Sequence, residues 1–429
     1  MSGKAGNVRG ELEAGGNIFE GPRSEEYPTP PNKMPHFSVL YEDAVKSLGY
    51  HPYPYPAATI STAYTNPDGV SRPGCLYCGF CNGYPCMIGA KSQPTNTLLP
   101  AVGKHKSVEI RTGTWVRRLI HDQIGSSRRM RGVTYINEKG EEYFQPAELV
   151  ILASWSMGNV RQLLLSNVEE PYDPTTGKGN LGRNLTWGVN ITGAQVFLDQ
   201  TVNRFMGAAS AGIRIGDMDG DLIDHKNLPF LRGGNFGAMS SGYQPITTFG
   251  TLPRSIQSSW GAEWKKAAIH FYDRWGFINF LGEHFAYRGN FMDLDPRYTD
   301  QFGDPLLRLT LDWQENELKM FAFARDKAVE MARAMGAKDI NPFDSFVPLN
   351  LPQTPLTHTC GGAILSNNPE RSVVNTYMQH WNIPNLFVIG GSAFPQQASA
   401  NPTLTILALT YRTSDQIVDR YLHKPGPLA

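Results

Sequence analysis

The order of apolar and polar positions divides the chain into recognisable stretches. From Phe37 to Leu48, Val39, Leu40, Ala44 and Leu48 recur at helical spacing and Gly49 follows, so a helix ending there is predicted. HPYPYP comes next and reads as extended, because each proline pushes the residue before it out of the α region. From Val108 the period shortens. VEIRT, WVRRLIHD, RGVTYIN and EEYFQ read as strands, with Glu138-Lys139-Gly140 as a hairpin turn. Leu149 to Ala153 (LVILA) is a continuous apolar run suited to a strand buried on both faces, and Ser154 to Ser166 reads as a turn into a helix. Such a strand-to-helix junction is where a dinucleotide can be met. Between about 190 and 312 strand-like pieces dominate (ITGAQVFL, GFINFLGEHF, LLRLTLDW), with one helical stretch from Ala262 to Arg274. Glu315 to Ala337 is the clearest helix, with Leu318, Phe321, Phe323, Ala328 and Met331 on a broad apolar face. A strand from Asn385 to Ile389, a Gly390-Gly391-Ser392 turn and a helix from Pro402 to Leu422 complete the pattern. Residues 1–36 are aperiodic and predicted to be loop. The fold class is therefore mixed α/β.

Composition narrows the function classes. At 429 residues, 41% hydrophobic and 18% charged, the chain can bury a sizeable core in two domains or one two-part domain. Lys plus Arg and Asp plus Glu are both 39, so nothing points to nucleic acid or another polyanion. There is no apolar run long enough to span a membrane and no secretory leader pattern at Met1.

Four of the five cysteines fall between Arg72 and Lys91, as Cys75, Cys78, Cys81 and Cys86, in the spacing C-x2-C-x2-C-x4-C. Gly79, Gly83 and Gly89 thread the same stretch, so a loop could wrap its thiolates around one small object. An iron–sulfur cluster, a zinc ion and a pair of disulfides are the three readings. Zinc sites usually split their ligands into two separated pairs, and the bacterial ferredoxin run has a shorter last gap followed by proline, whereas here Met87 follows.

The C-terminal line PNLFVIGGSAFPQQASANPTLTILALTYRTSDQI resembles the signature of the glucose–methanol–choline (GMC) flavoprotein oxidoreductases. Its physical logic is a strand delivering a small-residue turn, which admits close backbone approach, followed by a helix whose first N–H groups face an electron-rich atom. The resemblance implies a GMC-type FAD-binding, Rossmann-like domain with an antiparallel-sheet substrate domain. The corresponding ranges are 1–190, 191–345 and 346–429. It further implies that Gly390, Gly391, Ser392, Ala393, Asn401, Pro402 and Thr403 lie at the flavin, and that Val116 holds the adenine through its strand backbone. Thr357-His358-Thr359-Cys360-Gly361-Gly362 is similar to the family's histidine segment, with His358 as the base that takes the hydroxyl proton and Asn401 as its pair. A histidine suits that task because its ordinary pKa of about 6.5 lets it accept a proton near neutrality. His380 lies outside the motif and reads as structural. Ala363-Ile364-Leu365-Ser366 and Trp155 depart from the family pattern.

RPGCLYCGFCNGYPC resembles the iron–sulfur loop of a GMC subgroup, the membrane-associated dehydrogenases of gluconate, 2-ketogluconate, fructose, sorbitol and glucose. That likeness implies a three-iron–four-sulfur cluster in the loop of Cys75, Cys78, Cys81 and Cys86, three of which suffice to hold it without the likeness saying which is spare, with Cys360 outside the set. It also implies a cytochrome c subunit as electron acceptor, a small export or chaperone subunit, and a periplasmic location when assembled with them (cytoplasmic otherwise). The activity implied is a dehydrogenase, not an oxidase, acting on a CH–OH group of a sugar, polyol or sugar acid. The family's opening strand and G-x-G-x-x-G loop do not occur in the sequence, and Met1 reads as an internal start. The expectation is therefore an N-terminally truncated member, with a non-catalytic iron–sulfur or scaffold protein as the alternative.

Overall fold

The computed structural model describes residues 18–19, 27–54, 56–81, 83–124, 127–208, 211–239, 249–343 and 357–428. Most of the predicted N-terminal loop and the boundary at 345/346 lie outside them. The chain forms two compact units. One comprises Met1–Ile110, Val189–Gly282 and Glu315–Pro348, and the other Arg111–Gly188, Glu283–Gln314 and Leu349–Ala429.

The first unit is built on a six-stranded sheet in the order Pro52–Pro54, Ile213–Ile215, Gly234–Met239, Trp275–Gly282, Val189–Phe197 and Asp339–Pro342, antiparallel throughout. Alternation along these strands separates two faces. Ile213, Ile215, Phe236, Ala238, Ile278, Phe280, Ala194 and Val196 are buried on one, while Arg214, Asn235 and Asn279 fall on the other. The helices His36–Ser47 and Glu315–Ala334 cover the apolar face. The Phe37 ring fills the space over Gly276, where a Cβ would come within 2.7 Å of it. Ser38 Oγ donates to Ala238 O at 2.9 Å, and Tyr41 Oη reaches Met331 Sδ of the second helix at 3.7 Å. Each fully buried Phe, Met or Val here is worth about 1.5–3 kcal/mol relative to exposure. The deepest stripe of the long helix is Met320, Phe321, Ala324, Ala328 and Met331, whereas Leu318 and Phe323 are only half-buried at its margins.

The second unit holds a three-stranded antiparallel sheet (Trp115–Ile124, Ser127–Ile136, Glu142–Pro146), a hairpin (Phe291–Thr299, Pro305–Thr310) and a parallel pair, Val150–Leu152 with Leu386–Val388. Around the helix Ser156–Leu165 they bury Val160, Leu163, Leu164, Leu119, Met130 and Leu386. Buried Asn385 fastens the parallel pair to the sheet: its Oδ1 accepts from Met130 N at 2.8 Å, and its Nδ2 donates to Met130 O and Glu148 O. Asp304 at the hairpin accepts from Arg118 and, in a two-pronged contact, from Arg117, which together hold its carboxyl well below the usual range.

Two expectations from the apolar pattern are corrected. VEIRT is not a strand: it joins no ladder among the described residues, and Val108 and Ile110 are exposed. The run at Val150–Leu152 is a strand, but Ile151 is 48% exposed and borders a cavity instead of a covering layer. No helix among the described residues is long and apolar enough to cross a membrane.

Candidate active site

The Leu386–Val388 strand ends in a turn that only small residues can make. Gly390 has φ +113° and ψ −168°, a conformation essentially reserved for glycine. A Cβ on Gly391 would come within 2.6 Å of Ser156 Oγ. The turn is tied to the start of the Ser156–Leu165 helix by Asn159, which is wholly buried. Its Nδ2 donates to Ile389 O at 2.8 Å and Ser392 Oγ at 2.9 Å, while its Oδ1 accepts from Ser154 N at 2.8 Å. Sequence reasoning missed Asn159. Its only signal was an asparagine inside a helix start, one of many polar residues in the chain.

The histidine segment runs beside this turn. Gly361 N donates to Gly391 O at 3.0 Å, Ala363 N to Ser392 O at 2.9 Å and Leu365 N to Ala393 O at 2.8 Å. Ser156 Oγ donates to Thr359 O at 2.7 Å. His358 sits at φ +62°, its carbonyl accepting from Gly188 N at 3.2 Å. Gly361 has φ +93°, and a Cβ there would lie 1.9 Å from Asn184 O. Gly361→Ala is therefore expected to cost about 3 kcal/mol or more through backbone strain and steric overlap, read as a lowered melting temperature. An unchanged melting temperature would contradict this packing.

His358 Nε2 and Asn401 Nδ2 are 2.8 Å apart. Beside them lies a cavity of about 490 Å³, lined by Ala153, Trp155, Ser156, Thr357, His358, Thr359, Ile389, Gly390, Gly391, Pro402, Thr403, Ile406 and Thr410. The Thr403–Gln416 helix begins at its edge with no side-chain cap, which leaves first-turn N–H groups available to an electron-rich ligand atom. A second cavity of about 680 Å³ shares Ala153 and Trp155 with the first and is lined further by Trp115, Val116, Ile151, Arg161 and Gln162. Of the residues singled out in the sequence, His358, Gly390, Gly391, Pro402 and Thr403 line the first cavity. Asn401 touches His358, Ser392 and Ala393 are buried beneath the turn, and Val116 lines the second cavity with its carbonyl accepting from Gln162 Nε2 at 2.6 Å. A side-chain-free glycine turn opposite an uncapped helix start, opening into a second apolar cavity, fits a flat ring carrying a nucleotide tail.

Beneath the site, His284 is fully buried. Its Nδ1 accepts from Trp187 N at 3.1 Å, and its ring lies 4.9 Å from Trp313. Burial pushes its pKa down to about 3, despite the Trp187 contact. The unfolded chain, with histidine near 6.5, therefore binds the extra proton between these values. The stability His284 contributes is complete above about pH 6.5 and falls toward pH 3, by about 3 kcal/mol at pH 4.5. Melting temperatures measured from pH 7 to 4.5 should decline less steeply in His284→Gln. Parallel curves would contradict the assignment. His380 is also buried, 3.3 Å from Glu169 Oε2.

The cysteine loop belongs to the other unit. Cys75 N donates to Ile60 O, Ile60 N to Ala90 O, and Lys91 Nζ clasps the carbonyls of Cys81 at 2.7 Å and Tyr84 at 3.0 Å. No disulfide joins any of the five cysteines. Burial pushes the Cys75 thiol up. At Cys86 burial acts the same way but is outweighed by the backbone N–H groups of Lys91, Ile88, Ala90 and Gly89, which hold the thiol below its usual range. Cys360 lies in the second unit, buried, with its thiol pushed up to about 12. Among the described residues, no three His, Cys, Asp or Glu side chains are grouped closely enough to hold a metal ion. The loop thus supplies soft donors of the right kind without a preformed cage.

Comparison with known proteins agrees with this geometry. The GMC oxidoreductase C-terminal family model matches residues 286–410. The chain is 38% identical, over its whole length and 70% of the relative's, to the gluconate 2-dehydrogenase flavoprotein of Pantoea cypripedii. It is 30% identical to the 2-methyl-1,2-propanediol dehydrogenase of Mycolicibacterium austroafricanum, over 91% of this chain and 68% of that one. Among solved structures, an FAD-dependent oxidoreductase from Chaetomium thermophilum superposes with a TM-score of 0.59 at 14% identity, covering 96% of this chain and 78% of its own. With the glycine turn, the histidine segment and these matches together, the chain belongs to the GMC oxidoreductases, FAD-dependent enzymes that act on CH–OH donors.

Proposed function

We propose that the chain oxidises a sugar acid of the gluconate type at a secondary CH–OH group, with His358 as the base and Asn401 orienting the reacting oxygen. The observation that carries the reading is the 2.8 Å contact between His358 Nε2 and Asn401 Nδ2 at the edge of the cavity floored by Gly390 and Gly391. FAD, when bound, supplies the hydride acceptor. Gly390, Gly391, Pro402 and Thr403 would flank its ring, Ser392 and Ala393 would support the turn from beneath, and Val116 would border the adenine end. His358 Nε2 takes the hydroxyl proton as the C–H hydride departs, leaving a carbonyl, and the Asn401 amide donates to the same oxygen and fixes its approach. Trp155, 56% exposed, lines both cavities where they meet.

The substrate class rests on the Pantoea cypripedii relative. Gluconate mixed with the flavin-loaded chain and an artificial electron-accepting dye should reduce the dye and yield a product with a ketone at position 2, identified by NMR. Bound flavin with no dye reduction by gluconate would reject this substrate.

The cysteine loop is read as the seat of an iron–sulfur cluster on Cys75, Cys78, Cys81 and Cys86. Four thiols on one glycine-rich loop and the N–H groups directed at the Cys86 sulfur support the reading. A cluster there would supply one-electron transfer to an outside acceptor. A cytochrome c subunit, with a small export subunit and assembly at the periplasmic face, fits that role.

A further inference from the structure

We propose that Gln397 is the positioning residue that sets His358 and Asn401 against each other, acting through Cys360 on one side and the Ala398–Ala400 backbone on the other. The proposal rests on the reading of His358 and Asn401 as the reacting pair. Those two residues are 43 positions apart in the chain, so their contact must be fixed by something that reaches both segments. Gln397 does so. It is 1% exposed, and a buried primary amide is costly unless its polar valences are met. Both hydrogens of its Nε2 are used, on Ala398 O and Ala400 O at 2.9 Å each, which closes the turn one residue before Asn401. Its Oε1 accepts the S–H of Cys360 at 2.9 Å, two residues after His358.

The partners fix the orientation of the amide, because carbonyls can only accept and the thiol must donate. Burial keeps that thiol protonated. Cys360 is itself anchored, since Thr359–Cys360 pairs with Thr186–Trp187 as a short antiparallel ladder. A Cβ built on the next residue, Gly188, would lie 2.8 Å from His358 Cβ and 3.3 Å from Gln397 Nε2, so imidazole and amide rest on the same patch of backbone. A displacement of about 1 Å in such a pair can cost about a hundredfold in rate.

The test is Gln397→Met in the full, flavin-loaded chain, which keeps the volume and removes the polar contacts. The expected result is a kcat about tenfold lower with KM within about twofold and flavin content unchanged, and no further loss when it is combined with His358→Asn. In the chain without flavin, nitrogen NMR of labelled histidine should show the His358 Nε2 signal shifted by Gln397→Met. An unmoved signal with the parent kcat overturns the proposal, as does a loss that multiplies with His358→Asn. If Gln397→Met does not fold, Cys360→Ala against Cys360→Ser decides. Serine keeps a donor and should retain more activity, and equal activities overturn the proposal. Full activity in His358→Asn would instead overturn the reading of the base, and the NMR shift would still judge Gln397.

Discussion

Turnover of sugar acid should fall about 10²- to 10⁴-fold when His358 is replaced by asparagine, the range expected for losing a positioned general base. Asparagine is the informative replacement because His358 sits at φ +62°, where most side chains are strained and asparagine is tolerated. Alanine there would add a backbone penalty to the chemical one. The backbone contacts of the segment, from Gly188 N to His358 O and from Ser156 Oγ to Thr359 O, do not involve the imidazole, so the cavity and its flavin contacts should persist. The expected outcome is therefore lost turnover with unchanged flavin absorbance per chain and a nearly unchanged melting temperature. A loss below about tenfold would remove His358 from the role of base.

The second large effect concerns metal content. Cys86→Ser should strip most of the iron and acid-labile sulfide from protein purified without exposure to oxygen. Backbone N–H groups hold the Cys86 thiol below its usual range against the opposing effect of burial, and serine offers a far poorer ligand for iron. Cys360→Ser should leave iron content unaltered, because that thiol lies in the other unit, buried and protonated. Zinc in place of iron in the parent protein would overturn the cluster reading, and iron retained in Cys86→Ser would remove Cys86 from the ligand set.

What the sequence made legible was what local chemistry decides. The Gly390-Gly391 turn needs residues without side chains, and the strand–turn–helix around it followed from the apolar run and the Asn401-Pro402 helix start. The hairpin at Glu138-Lys139-Gly140 lies in place between Ser127–Ile136 and Glu142–Pro146, because its turn residues act locally. The supports beneath the site were not legible. Asn159, Gly188, Gln397 and His284 take their roles from partners that are distant in sequence, and no local period marks an asparagine or glutamine that will be buried. The failure at VEIRT has the same origin. An alternating run becomes a strand only where a neighbouring strand pairs with it, and residues 108–112 join no ladder among the described residues.

The central claim is that this chain's own residues oxidise a CH–OH group beside a bound flavin. Anaerobic mixing of the flavin-loaded chain with gluconate, in the parent and in His358→Asn, tests it most directly. The account predicts rapid bleaching of the flavin band in the parent, in a single turnover without any electron acceptor, and bleaching slowed by two orders of magnitude or more in His358→Asn. Equal bleaching rates in the two proteins, or a parent flavin that no sugar acid or polyol bleaches, would contradict it.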